Sequence, residues 1–301
     1  MYNQHEKIAS PPDMWKWLDT LVTRNIGRCL YASERIFKRV YTIRYGLTQW
    51  MSPTIMYGTE VVLNGQQSVF TYGKEDATRV MFMVPGGGFV YDRTGTIDGS
   101  MNELVATNTD LFVVVCPYQI APTTKFPAIH DQVRAGFDAS YKRFAFQSKD
   151  LFVGGESTGG ILTMDVVTHI QRTPSVLLAG VILWYITPQL TAVSLDSLKF
   201  QTLSLCVYDY VYYVRSYSNT RMDINSPRFS PILCEYDEVP CLSFISQRDV
   251  FRHVQIEFGR RMASEVQLVD HRHGYLSDVY ACKQDFPTVN DFIHRCSIDY
   301  N

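Results

Sequence analysis

The chain has 301 residues, 46% of them apolar and 19% charged, with 28 Lys and Arg against 30 Asp and Glu for a formal net charge of −2. That much apolar content with so little net charge excludes a disordered chain, and 18 Gly with 13 Pro exclude a collagen-like or linker-like one. The near-neutral balance leaves no electrostatic footprint for nucleic acid, so no nucleic-acid partner is expected.

The first residues, MYNQHEKIASPPDMWKW, contain no apolar core and no small-residue cleavage site, so no signal peptide is read and a cytoplasmic protein is expected. Residues 13–50 carry apolar side chains at helical spacing, among them Met14, Trp17, Leu18, Leu21 and Val22, then Ile36, Phe37, Val40 and Tyr41, which fits two amphipathic helices. This segment also holds Arg24, Arg28, Arg35, Lys38, Arg39 and Arg44 against Glu34 alone among acids. A basic helix of this kind is either an ordinary solvated face or a surface for contact with an anionic membrane.

Beyond Pro53 the pattern changes to short β-branched and aromatic runs at 60–63, 68–72, 80–84 and 111–116, which read as strands. Helical stretches near 129–146, 159–172, 250–263 and 284–296 then alternate with strands at 151–153, 176–183, 241–246 and 266–269. Strands separated by helices of that length imply parallel β-α-β units, an α/β fold with a mostly parallel central sheet flanked by helices. Residues 187–225 interrupt the rhythm, and the aromatic run 207–214 reads as an inserted helix or lid. The longest apolar run, 176–186, falls short of the roughly 20 residues that span a bilayer. The seven cysteines, odd in number and with no C-x-x-C pair, predict neither a disulfide framework nor a zinc site.

Three segments carry chemistry. Gly155-Glu156-Ser157-Thr158-Gly159 is a G-x-S-x-G motif between a predicted strand and a predicted helix, the context in which such a serine is held exposed on a strained turn. A serine hydroxyl is a weak nucleophile and needs a base, which in turn needs an orienting acid. Among downstream histidines, His169 and His294 lie on helices, whereas His273 follows a strand in a loop, with His271 as its competitor two residues away. Asp249 follows the strand 241–246 in a similar loop and is preferred as the acid over Glu238 and Asp270. Finally, Gly86-Gly87-Gly88 follows the strand 80–84, and three successive glycines let backbone N–H groups approach a substrate. The amides of Gly87 and Gly88, with that of Thr158, are the candidate donors to a developing oxyanion, each such donor being worth about 2.7–4 kcal/mol.

Taken in this order, these segments resemble the hormone-sensitive-lipase branch of the α/β-hydrolases, the H-G-G-G esterases, over roughly residues 56–296. The resemblance extends to Tyr118-Gln119-Ile120-Ala121-Pro122, to Phe126-Pro127-Ala128 with Asp131, to Ser226-Pro227-Arg228-Phe229-Ser230-Pro231, to Arg248-Asp249-Val250-Phe251-Arg252 and to His273-Gly274-Tyr275. It implies an α/β-hydrolase fold with a helical cap, all within one domain spanning 1–301. The cap would comprise 1–50 and 187–225, and the catalytic core 56–186 and 226–301. It further implies a carboxylic ester hydrolase with Ser157, Asp249 and His273 as the triad and with Gly87, Gly88 and Thr158 as the oxyanion hole. No metal or organic cofactor is needed, and the partner is a small, apolar, short-acyl ester. Trp15, Trp17, Phe89, Tyr91 and residues 208–213 either line its entrance or simply pack the cap.

The chain departs from the family pattern at Pro85, where the motif histidine stands, at Glu156 for the usual Asp, at Thr158 for the usual Ala and at Val250 for Pro. Pro85 invites the alternative of a non-catalytic small-molecule receptor on the same scaffold, as in the plant gibberellin receptors. An amidase or arylformamidase with the same triad is a third expectation.

Overall fold

The computed structural model describes residues 54–63, 67–190, 207–220 and 223–297. The two helices expected within 13–50, their basic face and Trp15 and Trp17 lie outside the described residues, as does most of the first half of the 187–225 insertion.

Eight strands form one sheet: β1 (Thr59–Leu63), β2 (Gln67–Tyr72), β3 (Arg79–Val84), β4 (Leu111–Val115), β5 (Asp150–Glu156), β6 (Gly180–Trp184), β7 (Cys241–Arg248) and β8 (Glu265–Arg272). Their order is β1-β2-β4-β3-β5-β6-β7-β8. The first two strands pair antiparallel, and β2 meets β4 antiparallel; from β4 to β8 every pairing is parallel. The central strands β3 to β6 are buried almost throughout and mostly apolar because both of their faces are covered. At the edge, β8 (EVQLVDHR) alternates half-buried with exposed positions throughout.

Among the described residues the helices are α1 (Asp98–Thr107), α2 (Ala128–Arg143), α3 (Gly159–Gln171), α4 (Val207–Tyr217), α5 (Arg252–Arg261), α6 (Val279–Cys282) and α7 (Phe286–Cys296). Alternation along β3 divides the core. Val80, Phe82 and Val84 face Phe137 of α2, Ile161 of α3 and Val254 of α5, while Met81 and Met83 face Met101 and Leu104 of α1 and Phe292 of α7.

Two expectations need correcting. The strand read at 176–183 is Gly180–Trp184, so its first four residues only lead into the sheet. Helix α1 was not anticipated at all, because its buried apolar contribution is just Met101 and Leu104, too narrow a stripe to stand out. It is fixed instead by a polar contact: the buried Asp98 accepts hydrogen bonds from the backbone N–H groups of Met56, Tyr57 and Gly58 and from the Tyr72 hydroxyl. The aromatic run of the insertion is helical, as α4. With β3, β5, β7 and β8 parallel, the loops after their C-terminal ends converge on one rim of the sheet, where open α/β folds hold their sites.

Candidate active site

Ser157 follows β5 directly and precedes α3. Its φ of 53° lies in the left-handed region, which costs a non-glycine residue about 1–3 kcal/mol. The two flanking glycines are steric requirements of this turn. A Cβ on Gly155 would meet Thr163 Oγ1 at 2.2 Å, and one on Gly159 would meet the Val84 carbonyl oxygen at 2.2 Å. The serine N–H is tied to the Trp184 carbonyl at 3.1 Å, so β6 holds the strained residue in place.

Ser157 Oγ lies 2.7 Å from His273 Nε2, and His273 Nδ1 lies 2.6 Å from Asp249 Oδ2. A carboxylate only accepts, so Nδ1 carries the hydrogen and Nε2 presents its lone pair to the serine hydroxyl. Asp249 is fully buried and is held by two further donors, the Phe251 N–H at 2.9 Å and Gln255 Nε2 at 2.8 Å. The His273 ring sits edge-on to Tyr185 at 5.1 Å and beside Phe251 at 6.0 Å. Tyr185, itself at φ 37°, accepts the Leu276 N–H on its hydroxyl, which braces the histidine loop.

The competing residues lie elsewhere. His271 stacks on Tyr275, His169 bonds Asp138, Asp270 pairs with Arg248, and His294 and Glu238 are exposed.

The glycine loop is pinned from three sides. Gly86 donates its N–H to Glu156 Oε1 at 2.6 Å, and its carbonyl accepts the Tyr118 hydroxyl at 2.9 Å. Gly88 donates its N–H to Thr158 Oγ1 at 2.9 Å. Burial raises the Tyr118 phenol well above its ordinary range, and the charge of Glu156 adds to this against an opposing hydrogen bond from Thr158. The sequence held no histidine to support this loop; Glu156 and Tyr118 hold it in this chain. Of the candidate donors, the amides of Gly87 and Thr158 have no partner among the described residues, whereas that of Gly88 is taken by the Thr158 hydroxyl.

Helix α4 closes over this loop. A Cβ on Gly88 would lie 2.7 Å from the Tyr213 ring, and Tyr217 stacks on Phe89 with ring centroids 3.7 Å apart. The Tyr217 hydroxyl meets Nε2 of the buried His130, whose Nδ1 lies 3.2 Å from Asp165. Burial pushes His130 below its ordinary value, so the ring is neutral and accepts the tyrosine hydrogen. Asp165 also takes Arg134 at 2.7 Å and Arg228 at 2.9 Å; burial would raise its carboxyl, but the hydrogen bond from His130 and the hydrogen bond and charge of Arg228 outweigh that and hold it well below the usual range.

Glu156, Gln255 and Tyr185 escaped the sequence reading as site residues. Glu156 alone carried a signal, as a carboxylate inside the G-x-S-x-G motif. Among the described residues no group of three or more His, Cys, Asp or Glu side chains is placed to hold a metal ion, and no helix is long and apolar enough to cross a membrane.

A serine on a strand-to-helix elbow, backed by a histidine and a buried aspartate at the C-terminal rim of a parallel sheet, is the arrangement that defines the α/β-hydrolase class of fold. Residues 81–275, more than half of the chain, match the family model described as the alpha/beta hydrolase fold. The chain belongs to this α/β-hydrolase family, as a divergent member. Among solved structures it is similar to an esterase of Pyrobaculum calidifontis, with 17% identity and a TM-score of 0.71 over 88% of this chain and 92% of that one. It is similar also to EstE1, a thermophilic carboxylesterase from a metagenomic library, with 20% identity and a TM-score of 0.70 over 87% and 97% of the two chains. Carboxyl esterase 2 of the mycorrhizal fungus Tuber melanosporum gives 18% identity and a TM-score of 0.69 over 81% and 89%. At these identities the likeness is one of fold. A search of curated proteins found no match.

Proposed function

We propose that the protein is a serine hydrolase that cleaves a small, apolar carboxylic ester with a short acyl chain through an acyl-enzyme. The observation that carries this reading is the continuous relay from Ser157 Oγ through the His273 ring to Asp249, at 2.7 and 2.6 Å. As the Ser157 oxygen attacks the ester carbonyl carbon, His273 Nε2 takes its proton, and the buried Asp249 carboxylate stabilises the resulting imidazolium. The carbonyl oxygen becomes an oxyanion facing the amides of Gly87, Gly88 and Thr158. Collapse breaks the carbon–oxygen bond to the alcohol, which leaves with the proton from His273. Water, deprotonated by the same nitrogen, then attacks the acyl-enzyme, and the acid leaves as Ser157 recovers its proton.

Tyr213 over Gly88 and the Phe89–Tyr217 stack favour an apolar substrate beside the loop. Esterases among the structural neighbours point to the same class of reaction. Helix α4 serves as part of a cap in this reading.

Labelling with a fluorophosphonate probe tests it. The native protein is expected to label and Ser157→Ala to lose all labelling, with hydrolysis of p-nitrophenyl acetate falling by roughly 10⁴–10⁶-fold. Absence of labelling in the native protein removes the hydrolase reading in favour of a binding protein on the same scaffold. Labelling that survives the substitution removes Ser157 as the nucleophile. A fall in turnover from acetate to octanoate esters is the expected signature of a short acyl pocket.

A further inference from the structure

The residue after the nucleophile is a threonine, and its hydroxyl is already engaged. Thr158 is 2% exposed and stands at the start of α3 with helical backbone angles (φ −69°, ψ −22°), yet it makes no side-chain cap to that helix. Its Oγ1 reaches across to the glycine loop and accepts the Gly88 N–H at 2.9 Å. That amide is one of the three donors that the proposed acyl-transfer reaction asks to hold the oxyanion, and a hydroxyl oxygen bonded to it occupies the direction in which a substrate oxygen would have to approach.

We propose that the Thr158 hydroxyl is a resident stand-in for the substrate oxyanion: it fills the Gly88 donor in the free protein and must turn away before a substrate carbonyl oxygen can take its place. This rests on the serine-hydrolase reading and deepens it, making Thr158 a determinant of transition-state affinity through its side chain as well as its amide. A threonine side chain has few staggered alternatives, so the exchange is a discrete rotamer step rather than a gradual one. The stand-in stabilises the free protein, where a buried N–H without a partner is costly, and by the same amount it weakens binding of any ligand that needs that donor. An alanine at this position carries no such group. The Thr158 hydroxyl also hydrogen-bonds Tyr118, so turning away releases both contacts, while the Glu156 carboxylate keeps its hold on the Gly86 N–H and the loop keeps that tie as the hydroxyl moves.

The test compares Thr158→Val, which keeps the shape without the hydroxyl, Thr158→Ala, which keeps neither, and Thr158→Ser, which keeps the hydroxyl. The probe is a short alkyl trifluoromethyl ketone. Its carbonyl carbon bonds to Ser157 Oγ, the serine proton passes to His273, and the hemiketal oxygen is left as an oxyanion. Relative to the native protein, the inhibition constant is expected to tighten about threefold to tenfold in the Val and Ala variants, the worth of one net hydrogen bond, and to stay at the native value in the Ser variant. Unchanged or weaker inhibition in both the Val and Ala variants, with native inhibition in the Ser variant, overturns the proposal and makes the hydroxyl an anchor of the loop. The Ala variant also covers a Val variant that fails to fold. A native protein that labels with fluorophosphonate but shows no gain on losing the hydroxyl sinks this inference alone; a native protein that neither labels nor binds the ketone sinks the hydrolase reading and this inference with it.

Discussion

Asp249 divides its two carboxylate oxygens among three donors, and the division sets what each neighbour is worth. Oδ1 takes the Phe251 N–H, while Oδ2 takes both His273 Nδ1 and Gln255 Nε2. Replacing Gln255 by Leu leaves the backbone bond to fix the carboxylate plane, so kcat on p-nitrophenyl acetate is expected to fall about threefold to tenfold with KM unchanged. Asp249→Asn removes the charge and the tautomer control together and is expected to cost about 10⁴ in kcat. Equal losses in the two variants would show that Gln255 matters for more than orientation. Glu156 offers a parallel case at the glycine loop. Its bond to the Gly86 N–H is charge-assisted, so Glu156→Ala is expected to lower kcat by roughly tenfold to a hundredfold. Glu156→Gln keeps an acceptor oxygen and is expected to retain most of the rate; steady-state kinetics on both variants decide. Ser157, Asp249 and His273 were legible in the sequence as candidates, because a strand-to-helix elbow and two loops after strands can be read from local pattern, and the fold brings the three together. Glu156, Gln255 and the Thr158 hydroxyl were not, because their roles depend on partners that only the fold brings near; Gly86 and Glu156 are 70 residues apart.

Helix α4 joins two parts of the molecule that share no local sequence signal. Its last residue, Tyr217, stacks on Phe89, a loop residue held at φ 63°, and hydrogen-bonds through its hydroxyl to the buried His130 of α2. Each contact can be removed separately. Tyr217→Phe keeps the stack and leaves a buried nitrogen without its donor, so a loss of about 1–3 kcal/mol in urea unfolding is expected, with kcat within a few-fold of native. Tyr217→Ala removes the stack as well and frees Phe89 to leave its strained conformation, so kcat is expected to fall by a further factor of ten or more, measured on the same ester. If the Ala and Phe variants have the same kcat, helix α4 does not hold the glycine loop. At this scale the central strands, α2, α3, α5 and α7 were readable from periodicity, and the aromatic run from 207 onward was readable as an inserted helix. Helix α1 was not readable, since the contact that docks it is the Asp98 carboxylate on three backbone amides rather than an apolar stripe.

Across the whole molecule, two buried acidic centres give the stability of the fold opposite dependences on pH, which a net charge of −2 does not foreshadow. Asp165, held well below its ordinary range despite its burial by His130 and Arg228, contributes stability above the unfolded value of about 3.9 and loses it as pH falls below that. His130, pushed down by burial, acts in the same sense from about pH 6.5 downward, because the unfolded chain takes up the proton first. Asp285 works the other way. Burial raises its carboxyl to about 6, partly offset by the Tyr275 hydroxyl that donates to it at 2.5 Å. A carboxyl raised in the folded state contributes its full stability below about pH 3.9, and the contribution is lost as pH rises through 6, because the unfolded chain releases that proton first. Asn at 285 keeps an acceptor for Tyr275 and cannot ionise, so Asp285→Asn removes this one term. The difference in unfolding free energy between Asp285→Asn and the native protein is therefore expected to grow from near zero at about pH 4 to on the order of 2 kcal/mol in favour of the variant at about pH 7. Urea unfolding of both proteins at pH steps across that range measures it. A difference that stays flat would show that Asp285 ionises as freely in the folded chain as in the unfolded one, and one that shrinks as pH rises would show that it ionises more readily in the folded chain.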